Sequence, residues 1–120
     1  METVAQTVIP VSAGGMAWHQ LVPRLLHEHE SQTVAEVGVW RGALSREILQ
    51  HCVKVRRLIL VDPWTVVYGH DLDRDQWLGF GPGTTQLEMD AAYQAVATRF
   101  QYFGDRVTIL KMPSVAAAQV

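Results

Sequence analysis

The chain has 120 residues, room for one domain or part of one at roughly 100–200 residues per domain, and not for two ordinary enzyme domains. Apolar residues make up 48%, charged residues 18%, and mean hydropathy is +0.05, a profile that excludes disorder throughout and predicts a buried core. Ten Lys+Arg against twelve Asp+Glu give a formal charge of −2, so no basic surplus points to nucleic acid or an anionic membrane, and the balance is neutral evidence for a small-molecule site.

A single cysteine, Cys52, cannot form an internal disulfide. The N-terminus METVAQTVIP lacks a basic region followed by a long apolar run, so the expected setting is reducing and cytoplasmic. Uninterrupted apolar stretches such as Leu58–Val61 fall far short of the roughly 20 residues that cross a bilayer.

Residues 1–15 carry Pro10, Ser12, Gly14 and Gly15 without a sustained period and are expected to form an extended lead-in to a domain over 16–120. Leu21, Val22, Leu25 and Leu26 then set one apolar stripe on a helix from about Ala17 to Glu30, with Pro23 either in its first turn or kinking it. The run TVAEVG at 33–38 and the run RRLILVD at 56–62 read as buried parallel strands. Between them, Leu44, Ile48, Leu49 and Cys52 share a helical face, which completes a βαβ unit.

Residues 63–84 mix Gly, Pro, Asp and aromatics and are expected to be a lid or substrate loop. Thr85 followed by Glu88 forms a capping-box pattern that opens a helix through Tyr93, Val96, Ala97, Phe100 and Phe103 to Gly104. VTIL at 107–110 reads as a third strand, and Ser114 is placed to cap a last helix. The predicted class is α/β, a Rossmann-like doubly wound parallel sheet that is incomplete, with about three strands and flanking helices.

The informative stretch is Glu36-Val-Gly38-Val-Trp-Arg-Gly42 between a strand and a helix, with Asp62 closing the next strand. Gly38 lets the chain turn off the strand, and Gly42 lets the helix start approach a ligand and the sheet. An acid at the second strand's end is suited to accept both hydroxyls of a ribose. The G-x-x-x-G spacing differs from the G-x-G-x-x-G that seats a pyrophosphate, so adenosine without pyrophosphate is favoured over NAD or FAD.

These blocks, AEVGVWRGALSREIL at 35–49 and LILVDPW at 58–64, resemble the class I S-adenosylmethionine-dependent methyltransferases, above all a bacterial small-molecule branch with an E-[IV]-G-V-[WY]-x-G-x-[FLS]-[ST] turn and a DPW after the second strand. The resemblance extends over about residues 17–118 and is most specific in the two blocks. It implies S-adenosylmethionine as cofactor, with Glu36, Gly38 and Gly42 along its methionine and ribose portion and Asp62 on the ribose hydroxyls. Pro63 and Trp64 are implied to flank the adenine, Met112 to pack on its face and Ser114 to lie near its amino group. Val39 and Trp40, in the same turn, complete the implied set. Family members continue into further strands that close the acceptor site, about seven in the full fold, and some bind a divalent metal. Three strands therefore imply a missing C-terminal half, or a homo-oligomer or other chain that completes the sheet. A non-catalytic adenosine-binding or partner-dependent module is the alternative reading, and a nicotinamide-dependent oxidoreductase is opposed by the glycine spacing.

Other patterns point to ordinary surface and core. Arg41, Arg46, Lys54, Arg56 and Arg57 read as a solvated, salt-bridged face. His27-Glu28-His29-Glu30 alternates over different faces of a helix, which argues against metal ligation. Asp71, Asp73 and Asp75 begin like a calcium loop, but Gln76 and Pro82 stand where glycine and glutamate are required. His70, Asp71 and Asp73 remain acceptor-site candidates, and Tyr68, Trp77 and Phe80 either cover the pocket or anchor its loop. The Tyr93, Phe100 and Phe103 stripe reads as core, and Cys52, without a neighbouring base, is not expected to be a nucleophile.

Overall fold

A computed structural model of the chain describes residues 18–66 and 85–120. The lead-in at 1–15, the bulk of the 63–84 loop, and with it His70, Asp71, Asp73, Asp75, Gln76, Pro82, Tyr68, Trp77 and Phe80, lie outside the described residues.

The elements run α1 (Trp18–Glu28), β1 (Thr33–Val37), α2 (Ala43–His51), β2 (Arg57–Val61), α3 (Gln86–Phe100), a 3-10 segment (Gln101–Arg106), β3 (Val107–Leu110) and α4 (Ser114–Ala117). The strands form one all-parallel sheet in the order β1-β2-β3. Glu36 is in register with Leu60, and Val61 with both Val37 and Leu110, so the strands end together at one rim. The fold is an incomplete Rossmann-like α/β fold, as the βαβ pattern predicts.

Alternation along the strands sorts the two faces. Leu58 and Leu60 are fully buried and join Ile48, Leu49 and Cys52 of the α2 segment and Met89, Ala92, Val96 and Phe100 of α3 in one core. Val22 and Leu26 of α1, with Val34, Val107 and Ile109, pack on its margin. On the opposite face Ala35, Val37, Ile59, Val61 and Leu110 line a cleft that, among the described residues, only Ser114 to Val120 border beyond the strands themselves. Among the described residues, α4 alone represents there the second helical layer that a doubly wound sheet predicts.

Helix α1 continues through Pro23, which is buried at its middle and not in the first turn. The proline carbonyl accepts a hydrogen bond from the Cys52 thiol at 3.2 Å, which fixes α1 against the end of α2. Burial pushes the Cys52 thiol pKa up, against an opposing influence of Arg106, consistent with a core role.

Helix α3 opens as its capping pattern predicts, with Thr85 Oγ1 accepting the Glu88 N–H at 3.2 Å. Its buried stripe is Met89, Ala92, Val96 and Phe100, shifted from the expected one. Tyr93 is half-buried, and Phe103 lies in the 3-10 segment, 38% exposed and edge-on to Phe100 at 5.9 Å. Gly104 does not terminate the α-helix but kinks the 3-10 segment with φ 57°. Ser114 is the first residue of α4 and caps nothing; Pro113 holds the N-cap position.

Candidate functional site

Parallel sheets bind ligands outside the carboxyl ends of their strands, and the rim where β1, β2 and β3 end gathers the residues that the sequence singles out. The backbone there is strained. Gly38 and Gly42 have φ of 87° and 79°, while Trp40 and Trp64 hold left-handed φ of 51° and 45°, a conformation that costs a non-glycine residue on the order of 1–3 kcal/mol and collects at functional sites.

Asp62 organises the rim. Its Oδ2 accepts the backbone N–H groups of Val39 and Trp40, both at 2.9 Å, and its Oδ1 accepts that of Trp64 at 2.8 Å. The sheet ladder continues beneath, as Gly38 N–H donates to Val61 O at 2.9 Å and Asp62 N–H to Leu110 O at 3.2 Å. The sequence predicts an acid free to take two ribose hydroxyls. In the structure Oδ2 already accepts two bonds, and one acceptor position on Oδ1 remains.

The two glycines serve different needs. A Cβ on Gly38 would meet none of the described residues within 4 Å, which leaves the backbone on that side open among them. A Cβ on Gly42 would lie 3.2 Å from side-chain atoms of both Phe100 and Val96. Gly42 is thus required by the approach of α3, where the sequence suggests the approach of a ligand.

The tryptophans also divide. Trp64 is fully buried, its indole Nε1 donating to Trp40 O at 2.8 Å and its ring tilted against Tyr93 at 5.1 Å between centroids. Its faces lie inside the protein, and it supports the rim from beneath instead of presenting a stacking surface for adenine. Trp40 is 42% exposed, with the Arg41 guanidinium 4.5 Å from its ring centroid. Val39 is buried in the core, Pro63 and Met112 are half-buried, and Ser114 is exposed at the border of the opposite sheet face.

Glu36 sits one residue before the end of β1, half-buried on the helical side of the sheet. The hydroxyl of Ser45, itself fully buried in α2, donates to Glu36 Oε2 at 2.5 Å. Burial raises the Glu36 carboxyl pKa to about 7; the Ser45 bond opposes the shift and the Asp62 charge adds to it.

Three contributors have no role that the sequence pattern assigns. Ser45 partners Glu36, and the signal was a hydroxyl on an otherwise apolar helix face. Gln86, at the start of α3, donates to Trp64 O at 2.8 Å and accepts from Val66 N–H at 3.1 Å, clamping the chain that follows Asp62. Lys111 lies 4.6 Å from the ring of Tyr93. Gln86 and Lys111 had no readable signal, because their partners are distant in sequence.

The basic residues are dispersed. Arg46 pairs with Glu47 at 3.8 Å, Lys54 with Glu30, and Arg56 and Arg57 are exposed. Among the described residues no group of three or more His, Cys, Asp or Glu is placed to hold a metal ion, and no helix is long and apolar enough to cross a membrane. No protein family, curated protein or solved structure matches the chain.

Proposed function

We propose that this chain carries the cofactor site of an S-adenosylmethionine-dependent methyltransferase acting on a small-molecule acceptor in a cytoplasmic setting. The observation that carries the reading is the meeting of its two motif blocks at one rim, where Asp62 of the DPW block holds the amides of the Glu36–Gly42 turn. The residues fit such a cofactor in part. Gly38 leaves open space beside the strand end, Asp62 retains one acceptor position on Oδ1, and Glu36 offers a carboxyl to a positive group. Trp64 acts indirectly, by holding Trp40 in place.

When bound, S-adenosylmethionine supplies a sulfonium methyl for in-line displacement. The chain's own task is then to align and desolvate, and no protein nucleophile is required. Asp62 orients the turn, Gly38 admits the ligand backbone, and Glu36 holds or releases a proton beside it.

A second reading is an adenosine-binding module that depends on a partner, a second copy of the chain or a C-terminal half. It is favoured by the apolar sheet face, where among the described residues Val37 is 65% exposed, since parallel sheets are ordinarily covered on both sides. Calorimetric titration with S-adenosylmethionine, S-adenosylhomocysteine and NAD tests the first reading, and solution mass tests the second. Saturable binding of the first two ligands and not of NAD is expected; no binding by a folded sample refutes the cofactor site.

A further inference from the structure

We propose that the groove between α1 and α2 is a site for a zinc ion, chelated by Glu47 and His51 of α2 and completed by an imidazole of α1. The groove shares no residue with the strand-end rim, and the inference is independent of the cofactor reading.

The groove has a volume of about 360 Å³ and is lined by the imidazoles of His19, His27 and His51 and by the carboxylate of Glu47. Three of the five histidines in the chain thus meet one carboxylate, a nitrogen and oxygen donor set that suits zinc.

Two of these donors already stand as neighbours on one metal do. Glu47 Oε2 lies 3.2 Å from His51 Nε2. Zinc holds such atoms at about 2.0–2.2 Å, so two ligands of a tetrahedral ion lie roughly 3.3–3.5 Å apart. The i, i+4 spacing on one helix face sets that separation, and α2 needs no rearrangement to chelate. Without a metal the two atoms attract only when a proton sits between them; the zinc ion takes the place of that proton.

The surrounding charges admit a cation. Glu47 turns its other oxygen towards Arg46, at 3.8 Å. Arg24, a permanent cation of the groove, is engaged by Glu28 at 3.0 Å.

Among the described residues no third His, Cys, Asp or Glu is in coordinating position beside the pair. The further ligand comes from α1, where His19 and His27 are exposed and border the same groove on either side of the buried Pro23. Eight residues separate them by about 12 Å along the helix, so either approaches the ion without the other, and water fills the remaining place. Turning an exposed imidazole inward is the step that metal binding drives. It ties α1 to α2 a second time, beside the contact between Cys52 and the Pro23 carbonyl.

The test strips the full chain with EDTA, titrates it with Zn2+ alone by calorimetry and follows its melting temperature. Saturable uptake of one ion is expected, with a rise in melting temperature that EDTA reverses and no response to Mg2+, which takes oxygen ligands. His51→Ala and Glu47→Gln should each weaken binding at least about tenfold, as should the double variant His19→Ala with His27→Ala. The three histidines are exposed, so these variants keep the fold. His29→Ala, at a histidine outside the groove, should leave the affinity unchanged. Absence of zinc uptake by the folded chain overturns the proposal. Uptake that survives the α2 substitutions, or that the α1 double variant does not weaken, overturns it as well, because the ion then sits elsewhere.

Discussion

The indole Nε1 of Trp64 donates a 2.8 Å hydrogen bond to the backbone carbonyl of Trp40, joining two residues that both occupy left-handed backbone conformations. Each follows the end of a different strand, so the bond ties the tips of β1 and β2 together above the sheet. Trp64→Phe keeps an aromatic ring against Tyr93 but removes this hydrogen bond. The expected loss is about 1–3 kcal/mol of unfolding free energy, read from denaturant midpoints. An unchanged midpoint would show that the bond does not hold the rim.

The two rim glycines should respond differently to alanine. Gly42→Ala combines left-handed strain with a Cβ 3.2 Å from Phe100 and Val96, and should cost about 2–4 kcal/mol. Gly38→Ala meets only the strain, since no atom of the described residues lies within 4 Å of the added carbon, and should cost about 1 kcal/mol. Thermal or chemical melts of the two variants side by side decide the order. A Gly38 variant that melts below the Gly42 variant would contradict the close approach of α3.

Asp62 is expected to matter for stability before any ligand is added. Asp62→Ala removes the acceptor for three backbone N–H groups, and should destabilise by about 2–4 kcal/mol. Asp62→Asn should recover only part of that, because with its oxygen in the place of Oδ2 it keeps the Val39 and Trp40 amides while its NH2 group faces the Trp64 N–H, where an oxygen is needed. Near-equal melting temperatures for Asn and the parent would mean that the carboxylate is not the clasp of the turn. In variants that remain folded, loss of S-adenosylmethionine affinity would follow from a disordered turn as well as from a lost ribose contact. Affinity is therefore compared with that of Trp64→Phe, which loosens the rim without touching the carboxylate.

Local pattern made the fold legible. Strand runs, the apolar face Leu44–Ile48–Leu49–Cys52 and the Thr85 cap are written within a few residues of one another, and these elements start where their patterns predict, although α3 ends at Phe100 and not at Gly104. Glu36, Gly38 and Asp62 could also be picked out, because turn chemistry after a strand has few solutions. Their partners were not legible. Whether Asp62 faces a ligand or the amides of Val39 and Trp40 depends on how two turns distant in sequence meet. The burial of Trp64 likewise depends on Tyr93 and Gln86, across the 63–84 segment. Composition marks a tryptophan beside Asp-Pro as notable, but only packing determines whether its ring is floor or wall.

The Glu36 carboxyl should leave a pH signature on stability even without ligand. Its folded pKa of about 7 lies above the ordinary 4.5, so between those values the folded state binds more protons than the unfolded chain. Stability is then fullest below the unfolded pKa and declines as pH rises through 7. The full shift corresponds to on the order of 3 kcal/mol, reduced in practice because Glu36 is only half-buried. Glu36→Gln keeps an acceptor for Ser45 and cannot ionise. The variant should therefore lose this decline and become more stable than the parent at pH 8. Denaturant midpoints of both proteins from pH 5 to 8 test the sign, and a parent whose stability rises relative to the variant over that range would show that Glu36 ionises readily in the folded site.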